Sequence, residues 1–509
     1  MNRPPPTTVV VVGGGIAGLA AAWELVAGSE RAGRAAPEVH VLEAGDRVGG
    51  KVQSAEFAGR RVDLGADSFL ARRPEATDLC RELGLTGELV PVGASGASVW
   101  ARGRLRSMPT GLNLGVPTRW WPLLRSGVLS PGESLRVARD LVLPHPAARG
   151  SAGDRSVGDI VGERLGRPVV ERLVDPLVGG INAGGVDELS AAASFPQLLA
   201  ASERHGSLMR GLRPTPSPSG EPGRPSPIFW SLTGGTARLA GALAEALAGS
   251  GATIRTDTSV RSIRRQEAGR SGRAGWRLAL EGPGIGPAGG PDRLQADCVV
   301  LAVPAAEAAV LLAPLEPSAA GRLEALAYAA VAVVTLSIPS GAIGVPLRGT
   351  GFLVPRNTTI DDRRALITAC TYLGRKWPHL TRPGDELVRA SVGRFADDRH
   401  RGLDDAELAT SVFGELARIL DVHGAPLDQL VTRWDRGLPQ YGVGHLTAVG
   451  EIDRAVAGLP GLAVAGAAYR GVGIPACIGS GRAAARRVLD SVCPGATAGG
   501  APLEPENTR

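Results

Sequence analysis

The residues best suited to chemistry in this 509-residue chain are three glycines and an acid close to its start. Gly13-x-Gly15-x-x-Gly18 is followed, at the end of the next apolar run, by Glu43. Glycines at this spacing serve three purposes: Gly13 allows a sharp turn, Gly15 lets the backbone approach a pyrophosphate, and Gly18 lets a helix pack on a strand. Free N–H groups at the start of that helix then face the phosphates. A carboxylate at Glu43 accepts a hydrogen bond from a ribose 2′-hydroxyl and repels a 2′-phosphate, so an unphosphorylated adenosine is expected. The seven histidines and five cysteines have neither metal-ligand nor disulfide spacing, so no metal is expected.

The elements that must position these residues are legible around them. The β-branched run Val9–Val12 reads as a buried strand, Leu19–Val26 has helical spacing, and Val39–Leu42 reads as a second strand ending at Glu43. Strand, turn, helix, strand and acid in this order make the first half of a dinucleotide-binding unit. Immediately after it, Asp46–Arg47–Val48–Gly49–Gly50–Lys51 resembles the Arg-x-Gly-Gly signature of flavoproteins of the amine oxidase superfamily, which implies FAD rather than a nicotinamide cofactor.

Composition narrows the class. A chain that is 43% hydrophobic and 21% charged is an ordinary globular protein, and its length suggests two or three domains. The net charge of +6 is spread along the sequence and is almost all arginine, with lysine only at Lys51 and Lys376, which argues against nucleic-acid binding. No signal peptide is expected ahead of the first strand. Ala325–Leu347 is uncharged, but Ser337, Pro339, Ser340, Gly341 and Pro346 interrupt it, so Val331–Ile338 reads as a buried strand and a cytoplasmic protein is expected.

The pattern along the chain predicts an α/β fold: a discontinuous Rossmann-like FAD-binding domain, an inserted helical region and an α+β substrate-binding domain. The FAD-binding domain takes residues 1–95, 228–312 and 458–493. The helical region takes 96–210, with helices over Gly132–Leu143, Val157–Leu165, Pro168–Val178 and Ala191–Arg204. A Pro/Gly/Ser loop covers 211–227, the substrate-binding domain 313–457, and a disordered tail 494–509. The strands between 253 and 303 are expected to return to the first sheet, with 282–291 as a flexible hairpin tip.

At the C-terminal glycine loop the resemblance sharpens. Gly466-x-x-Tyr469-x-Gly471–Val472–Gly473–Ile474–Pro475-x-Cys477–Ile478 resembles the last flavin loop of the protoporphyrinogen/coproporphyrinogen III oxidase family of HemY type. The likeness spans nearly the whole chain, through Gly65–Ala66–Asp67–Ser68–Phe69, Met108–Pro109–Thr110–Gly111, Leu177-x-x-Gly180–Ile181-x-Ala183–Gly184, Leu189–Ser190-x-x-x-Ser194–Phe195–Pro196 and Leu438–Pro439–Gln440–Tyr441-x-Val443–Gly444–His445. It implies FAD contacts at Gly13, Gly14, Gly15, Ile16, Ala17, Gly18, Glu43, Ala44, Arg47, Gly50, Lys51, Gly65, Ala66, Asp67, Ser68, Val260, Ala467, Val472, Gly473 and Ile474. On the substrate side it implies Arg72, Gly180, Ile181 and Tyr441. Asn182 stands where relatives place an aromatic residue. Arg72 reads either as a partner of substrate propionates or, like Arg73, as a solvated surface arginine.

The activity so implied is oxygen-dependent oxidation of coproporphyrinogen III to coproporphyrin III in haem biosynthesis, by successive hydride transfers to flavin N5 with release of hydrogen peroxide. No side-chain base is demanded, because pyrrole protons leave to water as conjugation grows, so no catalytic residue is nominated. Protoporphyrinogen IX oxidase, another flavin amine oxidase or desaturase, and a non-catalytic FAD-bearing assembly module stay open as alternatives. Expected partners are the porphyrinogen, molecular oxygen and, transiently, other haem-pathway enzymes. Trp120–Trp121, flanked by Arg119 and Arg125, reads either as a helix packed on the core or as a peripheral membrane contact.

Overall fold

The computed structural model describes residues 7–142, 153–213, 227–267, 274–285 and 292–492. The tail, most of the Pro/Gly/Ser loop and the tip of the 282–291 hairpin lie outside the described residues. At the centre is a parallel sheet of five strands in the order Thr253–Arg255, Glu38–Leu42, Thr8–Val12, Cys298–Leu301 and Leu462–Val464. The strand Thr8–Val12 is apolar on both sides because both of its faces are covered. Val9 and Val11 pack among Leu19, Leu25, Leu243 and Ile478, whereas Val10 and Val12 face Trp276, Leu301, Leu312 and Val456. Chain segments far apart in sequence therefore complete one nucleotide-binding core.

The helix Ile16–Trp23 crosses the long C-terminal helix Ile474–Val492 so closely that a Cβ on Gly481 would lie 2.0 Å from the Ala17 carbonyl oxygen. The helix His445–Ala457, expected in the substrate domain, instead packs Val449, Ile452 and Val456 against this nucleotide core. A second correction concerns Ser259–Gln266, Gly275–Glu281 and Arg293–Ala296. They do not return to the first sheet but form a three-stranded antiparallel sheet of their own, with a bulge between Val260 and Ser262. Their one-sided burial is the physical reason, since alternation such as Trp276, Leu278 and Leu280 inward suits a sheet with one wet face.

A seven-stranded mixed sheet runs Asp428–Pro439, Tyr328–Pro339, Asp385–Val392, Ile367–Tyr372, Gly351–Leu353, Ser98–Ala101 and Arg104–Ser107. The last two strands are a hairpin that the sequence assigns to the helical region. They extend this sheet because Ser98 and Val99 pair in parallel with Phe352 and Leu353, a non-local contact that no local pattern signals. The helix Asp405–Leu420, started by a capping box of Asp404 and Glu407, covers one face of this sheet.

In the helical region Val157–Leu165 forms as expected and Pro131–Val142 is shifted by one residue. The expected helix 191–204 is broken into Ala191–Ser194 and Pro196–Arg204, since Pro196 donates no N–H and pushes Phe195 out of the helical range (φ −148°, ψ 64°). The expected helix 168–178 is π-wound from Val170 to Gly179. The uncharged stretch holds the strand Tyr328–Pro339, and no helix among the described residues is long and apolar enough to cross a membrane.

Candidate active site

Two glycine turns face each other at the C-terminal edge of the parallel sheet. Gly13 has φ +104°, and a Cβ there would lie 2.5 Å from the Ala302 carbonyl oxygen; one on Gly18 would lie 1.9 Å from the Gly13 oxygen. Gly15 differs, because its Cβ would meet nothing nearer than the Gly50 Cα at 4.0 Å. Gly49 donates to the Gly14 carbonyl at 2.9 Å and itself takes φ +102°. The protein thus closes tightly around Gly13 and Gly18 and leaves room at Gly15, beside a helix start whose first N–H groups have no partner within the helix. That cradle fits a pyrophosphate.

Glu43 sits beside it. Its carboxylate accepts from the Gly14 N–H at 2.7 Å and the Gly45 N–H at 2.8 Å. Its backbone carbonyl accepts from Thr258 at 2.8 Å, and Gly45 accepts from Asp257 at 2.8 Å, which brings the start of the Val260 strand to the acid. Arg47 donates to Gln53 at 2.6 Å, and Gln53 in turn holds the Gly50 carbonyl, so Arg47 supports the second glycine turn from outside. Lys51 reaches across to the carbonyls of Arg436 and of Gly437 (2.8 Å), with its ammonium 5.4 Å from the centre of the Tyr328 ring. Desolvation among these groups lowers its pKa to about 8.

Asp67, expected to touch the cofactor, is committed elsewhere. Its carboxylate is buried against Lys376 (2.9 Å to both oxygens), Arg389 (3.0 Å) and the Trp377 indole N–H (3.2 Å). Burial alone would raise its pKa, but Lys376 and Arg389 outweigh that and hold the carboxyl well below the usual range. Arg389 also donates to the carbonyls of Asp63 (3.2 Å) and Gly65 (3.3 Å). This network ties the Gly65–Ser68 turn to the seven-stranded sheet through the Asp67 side chain and Arg389.

Tyr441, expected on the substrate side, turns its hydroxyl to the C-terminal glycine loop. Its hydroxyl donates to the Ala467 carbonyl at 2.5 Å and accepts from the Gly471 N–H at 2.9 Å, so both of its hydrogen-bonding directions are spent on the C-terminal glycine loop. His445 stacks on its ring and meets the Tyr469 carbonyl at 2.7 Å through Nε2, which must carry the proton since a carbonyl only accepts. Cys477 is buried beneath the loop, and burial pushes its thiol up to about 12, so it is packing rather than a nucleophile.

The remaining substrate-side residues are open to solvent. Gly180 and Ile181 form the exposed helical end of the π-wound segment, with Ile181 53% exposed. Arg73 is engaged by Glu75 at 2.7 Å, whereas exposed Arg72 has no recorded partner among the described residues. His445 lies in the motif that ends at Gly444–His445, whereas nothing in the spacing singles out Arg389 or Lys376. Arg389 carried a readable signal, a lone charge inside the apolar run Leu387–Val392, which requires a buried partner.

The cradle has the geometry of a dinucleotide site, and the comparisons with known proteins point to a flavoprotein fold. Residues 16–489 match the model for flavin containing amine oxidoreductases. The coproporphyrinogen III oxidase of Bacillus subtilis is 34% identical over 480 residues, covering 93% of this chain and 96% of that protein. The coproporphyrinogen III oxidase of Propionibacterium freudenreichii is 34% identical over 94% of this chain and 90% of its own. A solved structure from Exiguobacterium sp. 255-15, provisionally named a protoporphyrinogen oxidase, superposes with a TM-score of 0.81 at 32% identity, covering 95% and 99% of the two chains. The chain belongs to the flavin-containing amine oxidoreductases and, within them, to the coproporphyrinogen–protoporphyrinogen oxidase family. Cyclohexylamine oxidase of Brevibacterium oxydans shares the fold alone, at a TM-score of 0.63 and 18% identity.

Proposed function

We propose that this chain is a FAD-dependent oxidase that converts coproporphyrinogen III to coproporphyrin III with molecular oxygen as acceptor. The observation that carries the proposal is the nearly full-length likeness to relatives named coproporphyrinogen III oxidase, at 34% identity over 480 residues. When bound, the flavin would supply two-electron acceptance from a saturated meso carbon flanked by pyrroles, and re-oxidation by oxygen.

The chain's own work is placement. Gly15 and Gly50 leave room for the pyrophosphate, and Glu43 orients the ribose. The Tyr441–His445 pair fixes the loop from Ala467 to Gly471, next to the long helix that begins at Ile474. Ile181 offers an apolar wall to a flat macrocycle, and Arg72 offers a cation to a propionate. Conversion of a porphyrinogen to a porphyrin releases six electrons and six protons, so three molecules of oxygen become three of hydrogen peroxide. Aerobic incubation with coproporphyrinogen III, followed by porphyrin fluorescence and peroxide release, tests the proposal. A ratio near three peroxides per porphyrin is expected, and no acceleration over autoxidation would reject it.

A further inference from the structure

The turn that carries Gly180 and Ile181 is held from outside itself. Asp175 is buried one helical turn earlier, in the π-wound segment. Its Oδ1 accepts from the Val186 N–H at 3.3 Å, and its Oδ2 lies 3.5 Å from Arg356 Nε and 3.6 Å from Arg394 Nη1. Arg394, itself buried, donates to the Val354 carbonyl at 2.7 Å at the end of a substrate-sheet strand. The residue after it, Phe395, donates its N–H to the Ala183 carbonyl at 2.7 Å, and Gln440 Nε2 donates to the Asn182 carbonyl at 2.9 Å. No slack remains on the inner side. A Cβ on Gly179 would lie 2.7 Å from the Gly184 oxygen, and one on Gly184 would lie 2.3 Å from Gln440 Oε1. Gln440 precedes Tyr441, so one short segment grips both this turn and the C-terminal glycine loop.

A buried carboxylate between two arginines is a poor device for stability, since desolvation offsets most of the attraction, and its better use is to select one geometry. We propose that Asp175 is a positioning residue. Through Val186, Arg394 and Arg356 it locks the Gly179–Gly185 segment to the seven-stranded sheet, so that the exposed Ile181 is held in one position. That Ile181 meets a porphyrinogen there rests on the function proposed above; the lock itself does not.

The test uses the full-length FAD-loaded protein and its Asp175→Asn and Asp175→Glu variants. Amide hydrogen exchange over residues 180–186 reads the lock, and steady-state kinetics with coproporphyrinogen III read its consequence. Asp175→Asn is expected to speed exchange in that turn about tenfold or more while leaving the central strand Thr8–Val12 protected. It should raise KM about tenfold and change kcat less than about threefold, with Asp175→Glu restoring part of both. Unchanged exchange in the turn overturns the proposal, as does a uniform rise across the molecule or faster exchange with an unchanged KM. If Asp175→Asn does not accumulate as folded protein, Gln440→Ala, which frees only the Asn182 side of the turn, must move exchange and KM in the same direction. No movement there also overturns the proposal. A wild type that oxidises no porphyrinogen would reject the substrate reading, while the exchange contrast would still decide the lock.

Discussion

The Tyr441 ring lies flat on the His445 imidazole, with ring centres 3.9 Å apart and planes 13° from parallel. Each partner reaches the C-terminal glycine loop by its polar edge, Tyr441 at Ala467 and Gly471 and His445 at Tyr469. Tyr441→Phe keeps the stack and removes both hydroxyl contacts, leaving a buried carbonyl and an N–H unpaired, at a cost of about 1–3 kcal/mol. Urea unfolding of the apoprotein should register that loss, and titration of the apoprotein with FAD should show roughly a tenfold or greater rise in Kd as well. An unchanged Kd would mean that the loop does not depend on the hydroxyl.

The buried Asp67 network gives the protein an acid limit. Asp67 has a folded pKa held below its unfolded value, so its contribution is fully present above the unfolded value near 4 and is lost as pH falls through that range. Asp63 behaves oppositely, because burial raises its pKa and its protonation relieves rather than destabilises the fold. Unfolding free energies from urea for wild type and Asp67→Asn should therefore differ most near neutrality, by about 3–5 kcal/mol with Lys376 and Arg389 left unpaired, and the difference should shrink progressively as pH falls below about 4 towards the depressed folded value. A difference that does not shrink with acid would contradict the assignment.

Two glycines in one motif should fail in different ways. Gly15→Val projects into the space left for phosphates and finds no protein atom within 4 Å of its Cβ beyond the Gly50 Cα, so a folded but colourless protein is expected. Gly18→Ala places a Cβ 1.9 Å from the Gly13 oxygen and should destabilise the fold itself, by about 1–3 kcal/mol or more. Absorbance at flavin wavelengths together with thermal unfolding separates the two. Flavin retained by Gly15→Val would reject this placement of the pyrophosphate.

How much of this was legible beforehand follows from the range of the interactions. The Gly13–Glu43 unit is local, and its strand, turn and helix lie where their residue types put them. The same holds for the capping box of Asp404 and Glu407 and for the strand around Val331–Ile338. What the sequence hid depends on partners hundreds of residues apart. The motifs around Asp67 and Tyr441 are recognisable in the sequence, but the partners of their side chains, Lys376, Arg389, Ala467 and Gly471, are not. The hairpin Ser98–Ser107 was misplaced for the same reason, since only the Phe352 and Leu353 register reveals its sheet.

Arg72 is an exposed cation beside the Gly65–Ser68 turn with no partner among the described residues, next to an Arg73 that Glu75 already engages. If it meets a propionate, Arg72→Ala should lose about 1.5–3 kcal/mol of binding, or roughly ten- to a hundredfold in kcat/KM with coproporphyrinogen III. The loss should be smaller with protoporphyrinogen IX, which has two propionates instead of four. Equal losses on the two substrates, or none, would return Arg72 to the solvated surface.

The central claim is most directly tested by the wild-type kcat/KM for coproporphyrinogen III against that for protoporphyrinogen IX, measured side by side under air with saturating FAD. The account predicts a clear preference for coproporphyrinogen III with peroxide as co-product. A preference for protoporphyrinogen IX, or turnover of neither, would contradict it.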